Sequence, residues 1–533
     1  ASLPYTTLGD IIPAMARAIS LSVREVLVLT PAARRGLVLS SIGAQDAGTT
    51  HDPNAARKLR RADAQGQEQR YRITLVHSAE EARQAIRREY FHVLVVDEGW
   101  RIPDGTDLPE RKELLTASLL ADLVPSHVAD SIWRSERTLV LLEGGPGIEQ
   151  RIFEAGRLQV GGVVTWPLGE ERFFNGVNAI CQRRAVVGRT ALCLAGGGIE
   201  GLIYEVGVLR ALDELLVDRG VNDFDIYCGI SAGAIAGSFL ANGVPPAEFV
   251  RAFHGDSSLV GRVSQKHIFY PAYTEIASRL LHMMGGWFLS PQKALGGLPA
   301  FYMKSIPSGF FSGDRIAAFL REEFERPGRT DSFRDLEREL YIGATDQDTS
   351  EHVVFGDRGW DDVRISEAVK ASAALVPFYA PAWVRGRWFV DGSYTRTSEL
   401  EVAVSKGATL VIIIDPLVPI RSGVSGYVRR KGGLYGSLQG IKALVHTRFA
   451  EGYQHAVGQY PHVDFLVIVP EEDDMRLMSG SPMRYNYRME LEELAYHETL
   501  VRIEENFAQW SGELERHGFS IRRPSEFREG RRL

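Results

Sequence analysis

Three cysteines in 533 residues, Cys181, Cys193 and Cys228, are too few for a disulfide framework. All three fall in segments with helix or strand patterning, so buried free thiols in a reducing compartment are expected rather than a disulfide or a metal site. No apolar run approaches the ~20 residues needed to cross a bilayer. The first residues lack the basic-then-apolar pattern of a secretory leader, although Ala1 is not a methionine. A cytoplasmic protein is therefore expected. Neither charge sign dominates: 61 Lys and Arg against 68 Asp and Glu leave a net charge of -7, which excludes a globally basic nucleic-acid binder. Internal repeats and low-complexity tracts are also missing. What remains, 44% hydrophobic and 24% charged, is the composition of an ordinary globular protein, long enough for about two to four domains.

The most informative stretch is 189–240. An apolar run at 190–195 reads as a buried strand and ends in Gly196, Gly197 and Gly198, then Gly201. A helix follows, with Leu202, Val206, Leu209, Leu212 and Leu216 on one face. A second apolar run, 224–230, delivers Gly229-Ile230-Ser231-Ala232-Gly233, and a helix of small residues begins there. A serine between glycines at a strand-to-helix turn can hold strained backbone angles and expose its Oγ. Glycine N–H groups, with no side chain in the way, can point at a developing oxyanion. Taken alone, a serine between glycines is usually a structural turn, and the glycine run could be a dinucleotide loop. The two at strand ends, one helix apart, are more specific together.

Upstream, apolar runs at 23–29, 72–76, 92–96, 138–142 and 162–165 alternate with helical patterns at 79–88, 110–123, 148–155 and 171–183. Five strands alternating with helices predict a parallel, doubly wound, flavodoxin-like domain over 23–186. Residues 1–22 form a separate segment with a short helix at 8–19, and 43–70 read as a mobile loop followed by a helix. The pattern resembles a response-regulator receiver, with Asp97 at the third strand end followed by Pro103-Asp104-Gly105. Where receivers carry an acidic pair stands Thr30-Pro31, and where they carry a lysine stands Trp166-Pro167. Without those groups, phosphorylation of Asp97 lacks its electrostatic support. The resemblance with these departures implies a pseudo-receiver, expected to be a regulatory or dimerising module, with a flavodoxin-like domain of no switching role as the alternative.

Downstream, 268–311 is rich in aromatics, Met and Gly, and could line an acyl pocket, form a lid that meets lipid, or simply pack as core. Ser312 reads as the N-cap of a helix at 313–324. Strands are expected at 340–345, 353–355, 388–390, 410–414 and 465–469, and helices at 365–374 and 399–405. A long last helix covers 489–515, and the charged tail after it reads as disordered. The strand at 388–390 delivers Asp391-Gly392-Ser393. With Asp391 set beside Ser231 and the glycine run, 189–470 resembles the patatin-like phospholipases. Ile306–Phe311, Ala344-Thr345-Asp346 and Ala368–Ala374 fit in order. Glu200 and Ser393 depart from the family pattern, which prefers Arg or Lys at the first position and Gly or Ala at the second.

The resemblance implies an α/β/α hydrolase sandwich followed by a C-terminal helical extension at 471–533. It implies that Ser231 is the nucleophile, Asp391 the base that takes its proton without a histidine, and the Gly196, Gly197 and Gly198 loop the oxyanion hole. Gly201, Gly229, Gly233 and Gly392 complete the motifs. No metal or cofactor is implied. A lipid or acyl ester would be the substrate, with peripheral contact at the inner membrane face and a homodimer through the N-terminal domain. His254, His267 and His282 are the histidines near the apolar stretch that a Ser-His-Asp triad would need. The competing readings are an acyltransferase of the malonyl-transferase type, for which no histidine or arginine can be assigned, and a non-catalytic regulatory protein that kept the fold.

Overall fold

The computed structural model describes residues 23–43, 57–62, 68–98, 115–123, 133–183, 187–262, 264–289, 306–420, 422, 424–470 and 487–526. The expected helix at 8–19 and the Pro103-Asp104-Gly105 stretch lie outside them. The chain divides into two compact units, the first holding 1–187, 455–462 and 505–513, the second holding the remainder.

In the first unit, β1 (Val23–Leu29), β3 (Glu68–Val76), β4 (Val93–Asp97), β5 (Thr138–Leu142) and β6 (Gly162–Thr165) form a parallel sheet in the order β3-β1-β4-β5-β6. That is the flavodoxin-like order. Alternation along β1 explains the layers: Val26 and Val28 pack into one core, Leu27 and Leu29 into the core on the other face. One expectation fails here. Residues 57–62 are not helical; β2 (Arg57–Ala62) pairs antiparallel with β3, which starts at Glu68 rather than at 72. Its sequence, RKLRRA, has no apolar alternation because it forms the sheet edge. Asp97 ends β4 fully buried. Its carboxylate accepts from the Thr30 hydroxyl at 3.0 Å and pairs with Arg34 Nε at 3.0 Å, while Arg34 lies 4.7 Å over the Trp166 ring.

The second unit is built on an eight-stranded sheet of β7 (Arg189–Leu194), β8 (Ile226–Ile230), β9 (Glu339–Asp346), β10 (His352–Phe355), β11 (Ala382–Val384), β12 (Arg387–Asp391), β13 (Ala408–Ile414) and β14 (Asp464–Ile468). β8, β13 and β14 are buried along their whole length and β7 along all but its first residue, as expected of parallel strands covered on both faces. Cys193 and Cys228 lie side by side on β7 and β8 as buried free thiols; Cys181 is half-buried. β10 runs along one edge of β9, from Ile342 to Thr345. Along the opposite edge β8 pairs as far as Gly343, and β12 takes over at Ala344. The carboxyl ends of β8 and β12 therefore meet, one β9 residue apart.

Two C-terminal expectations are corrected. The last helix is broken at Asn506 into Arg488–Glu505 and Phe507–Arg516. Residues 517–526 are not disordered: Phe519 is buried and stacks on Phe224 at 4.9 Å, and Arg522 N–H donates to Leu215 O at 3.0 Å. Two apolar side chains, Phe519 and Ile521, outweigh the surrounding charge. A 27-residue helix at Gly433–Gln459 has no counterpart in the sequence reading, since its apolar residues follow no helical stripe.

Candidate active site

Ser231 caps the helix Ala232–Ala241 with φ 53° and ψ -113°, a left-handed conformation unusual for a residue bearing a side chain. The elbow is tight. A Cβ on Gly233 would stand 2.2 Å from Leu194 O, and one on Gly229 2.5 Å from Gly233 O. These contacts explain why glycines flank the serine. The strained turn is tied down by Ser372, whose Oγ accepts from Ser231 N–H at 2.8 Å and donates to Gly343 O at 2.6 Å. Nothing in the sequence marks Ser372 for this job: it lies 141 residues away, and only its place in the Ala368–Ala374 stretch draws notice.

Asp391, the last residue of β12, is 1% exposed. The Ser231 side chain acts on its carboxyl and favours the charged form. Asp391 Oδ1 accepts from Ser393 N–H at 2.9 Å and Ser393 Oγ–H at 2.6 Å. Burial raises the carboxyl above its ordinary 3.8, and the Ser231 side chain and the Ser393 hydrogen bonds oppose that rise. The serine at 393 thus supplies an oxygen-bound proton that a glycine or alanine would lack. The turn after Asp391 is held from another side by Arg448, which donates to Ser393 O at 2.5 Å and Tyr394 O at 2.9 Å.

The glycine loop follows β7. Gly197 caps the helix Gly198–Leu215, and Gly198 has φ +65°. A side chain at Gly196 would lie 3.3 Å from Ser231 Cβ and 3.6 Å from Ser393 Cβ, so the loop passes directly over both. The N–H groups of Gly196, Gly197 and Gly198 donate to no backbone acceptor in loops or turns among the described residues, and they sit at the positive end of an 18-residue helix. Gly201 packs on Pro416, and Gly392 packs on Gly343 O. Glu200 is buried, and its charge acts on Lys442 and Tyr435 of the helix Gly433–Gln459. A lysine from a distant part of the chain therefore faces the acidic departure.

Ser231 opens on an apolar cavity of about 100 Å³ walled by Ile203, Phe239, Phe253, Phe319, Leu375 and Phe378 among others. His267 is in this wall, stacked on Phe319 at 4.9 Å, and Ile268 lines it too. Residues 268–289, which include the helix Tyr273–Leu289, and residues 306–311 are the described parts of the aromatic stretch. His254 ends the helix Pro246–His254 and His282 lies on the helix Tyr273–Leu289. No group of three His, Cys, Asp or Glu able to hold a metal occurs among the described residues. No helix among them is long and apolar enough to cross a membrane.

A hydroxyl near a buried carboxyl, N–H groups of a helix start beside it and an apolar cavity at its side are the parts that acyl transfer from an ester requires. Residues 192–404 match the family model described as patatin-like phospholipase. Among solved structures, VipD from Legionella pneumophila is similar at 16% identity and a TM-score of 0.29, covering 60% of this chain and 67% of its own. The type III effector protein ExoU of Pseudomonas aeruginosa is similar at 16% identity and a TM-score of 0.27, covering 64% of this chain and 62% of its own. NtrX from Brucella abortus matches at 14% identity and a TM-score of 0.19 over 96% of this chain and 99% of its own. Residues 192–404 carry a patatin-like phospholipase domain.

Proposed function

We propose that the protein is a serine acyl-ester hydrolase acting on lipids, of phospholipase A or lysophospholipase type. The observation that carries this reading is the action of the Ser231 side chain on the buried Asp391 carboxyl, with the strained Ser231 turn and the glycine loop beside it. In the first half-reaction Ser231 Oγ attacks the ester carbonyl carbon and its proton passes to Asp391. The oxyanion is held by the N–H groups of Gly196, Gly197 and Gly198. Collapse breaks the C–O bond, and the alcohol leaves with the proton from Asp391. In the second half-reaction Asp391 takes a proton from water, the resulting hydroxide attacks the acyl-serine, and the fatty acid departs as Ser231 is reprotonated. The raised carboxyl makes Asp391 a stronger base than a solvated aspartate. The apolar walls around Ser231 suit a fatty acyl chain, which sheds its hydration there.

Exposed Tyr273, Leu281, Phe310, Trp383 and Trp388 support peripheral contact with a lipid surface, reached from the cytoplasm. The first unit is the regulatory part, a module that does not need phosphorylation at Asp97 and that serves homodimer formation. The test is product analysis by mass spectrometry on a mixed lipid panel with wild type, Ser231→Ala and Asp391→Asn. Both variants should lose at least ~10³ in rate while staying folded. Residual turnover within tenfold of wild type in either would sink the dyad.

A further inference from the structure

Behind the Asp391 turn sits a histidine–carboxylate pair, its carboxylate buried and its ring half-buried, that the hydrolytic steps leave unused. His352 opens β10 and Glu399 precedes the helix Leu400–Ser405. His352 Nε2 lies 2.6 Å from Glu399 Oε1, and the Glu399 side chain is fully buried. The other ring nitrogen, Nδ1, lies 2.7 Å from Thr395 Oγ1. Thr395 Oγ1 is 2.8 Å from Thr345 Oγ1, and the Thr345 hydroxyl donates to the main-chain carbonyl of Asp391 at 3.0 Å. An unbroken chain thus runs from Glu399 through His352, Thr395 and Thr345 to the backbone of Asp391.

The backbone makes room for it. A Cβ on Gly343 would come 1.9 Å from Glu399 Oε1 and 2.9 Å from His352 Cε1, so the pair occupies space that only a glycine on β9 leaves open. Thr345 is in register with His352 on one edge of β9 and with Val390 on the other, which is why its hydroxyl can serve both sides.

The Thr395 hydroxyl is the centre of the chain: it lies 2.8 Å from Thr345 Oγ1, 2.7 Å from His352 Nδ1 and 3.3 Å from Gly392 O. The His352 ring is thereby held at both nitrogens, by Thr395 and by Glu399. Hydrogen bonds linked in this way inside a protein fix the groups they join.

We propose that Glu399, His352, Thr395 and Thr345 form a positioning chain for the catalytic aspartate. By fixing the Asp391 carbonyl, the chain sets the direction in which the carboxyl leaves β12 toward Ser231. These residues act through Asp391 and are not catalytic themselves. The inference rests on Asp391 being the general base.

The test compares Thr395→Val, which keeps the shape and removes the hydroxyl, with Thr395→Ser, which keeps the hydroxyl, and with His352→Gln. Each is assayed for kcat and KM on a soluble ester, for the rate of Ser231 labelling by a fluorophosphonate, and for melting temperature. Loss of the chain should lower kcat and the labelling rate by ~10- to 10²-fold, the cost of a small misplacement of a catalytic group, with KM within twofold. Thr395→Ser should retain most of the activity. The proposal is overturned if Thr395→Val matches wild type. It is equally overturned if valine and serine lose the same activity, because packing rather than the hydroxyl would then matter. If His352→Gln fails to fold, the Thr395 pair decides alone. Asp391→Asn run in parallel separates the two levels: activity in that variant removes the base assignment itself, whereas a dead Asp391→Asn with an unaffected Thr395→Val removes only the positioning chain.

Discussion

Replacing Asp415 by asparagine should stabilise the protein, and more so at alkaline pH. Asp415 follows β13 with 0% exposure. Its Oδ1 accepts from Leu417 N–H at 2.9 Å, and its Oδ2 has no hydrogen-bond partner among the described residues. Burial pushes the carboxyl from 3.8 up to about 7. The folded chain therefore holds this proton more tightly than the unfolded chain does. Stability from that proton is present at low pH, drains away as pH rises past the unfolded value near 3.8, and is gone above the folded value near 7. Each tenfold difference in proton affinity is worth about 1.4 kcal/mol, so ionisation of Asp415 costs about 2 kcal/mol at pH 5 and about 4 kcal/mol at pH 8. The asparagine keeps the acceptor for Leu417 and never ionises. Its amide leaves one buried donor without a fixed partner, a penalty that does not vary with pH. The difference between the two conditions, about 2–3 kcal/mol, thus isolates the proton. Glu205, equally buried, is pushed well above its usual range by burial and then by the Asp415 charge, and the substitution relieves that second push. At about 2 °C per kcal/mol, thermal melts of wild type and Asp415→Asn should differ by about 5 °C more at pH 8 than at pH 5. An equal difference at the two pH values, or a smaller one at pH 8, would refute the reasoning.

Gly197→Ala should leave the protein folded and inactive, because its new Cβ would lie 2.6 Å from Gly201 Cα and 2.7 Å from Pro416 Cγ and must push the glycine loop off Ser231; a fall in kcat of ~10² with an unchanged far-UV spectrum is expected. Incubation with acetyl phosphate and magnesium should add no phosphoryl group to Asp97, since Arg34 and Thr30 already hold its carboxylate in a buried site; a stoichiometric gain in intact mass would overturn this.

Local pattern revealed the strands because each is a short apolar run bounded by polar or glycine residues, as at Val93–Asp97 and Ala408–Ile414. β2 escaped because RKLRRA carries no such run and is a strand only by pairing with β3. The tail escaped for the opposite reason: two apolar residues among many charges find pockets that exist only in the folded chain. At the site, Ser231, Asp391 and the glycines stand in motifs that sequence can name. Their supports do not. Ser372, Thr345, His352 and Arg448 belong to four different elements, and each acts through one or two hydrogen bonds whose partners are 29 to 141 residues away.

All of those supports except Arg448 converge on three consecutive residues of β9. Gly343 receives the Ser372 hydroxyl that anchors Ser231, and it leaves the space filled by Glu399 and His352. Ala344 is the register partner of Asp391, and Thr345 binds the Asp391 carbonyl. β8 ends opposite Gly343 and β12 ends opposite Ala344, so the two strand ends are juxtaposed by pairing with one shared edge. All of β9 after its first residue is buried, which denies the strand alternative positions. The backbone at Ser231 carries strain of order ~1–3 kcal/mol. Hydrogen bonds to a buried strand can hold that strain, whereas a mobile loop would relax it. A dyad lacks the histidine that lets a triad tolerate some separation between its serine and its carboxylate. The proposed dyad would need the two groups in direct contact, and both are referenced to adjacent residues of one strand.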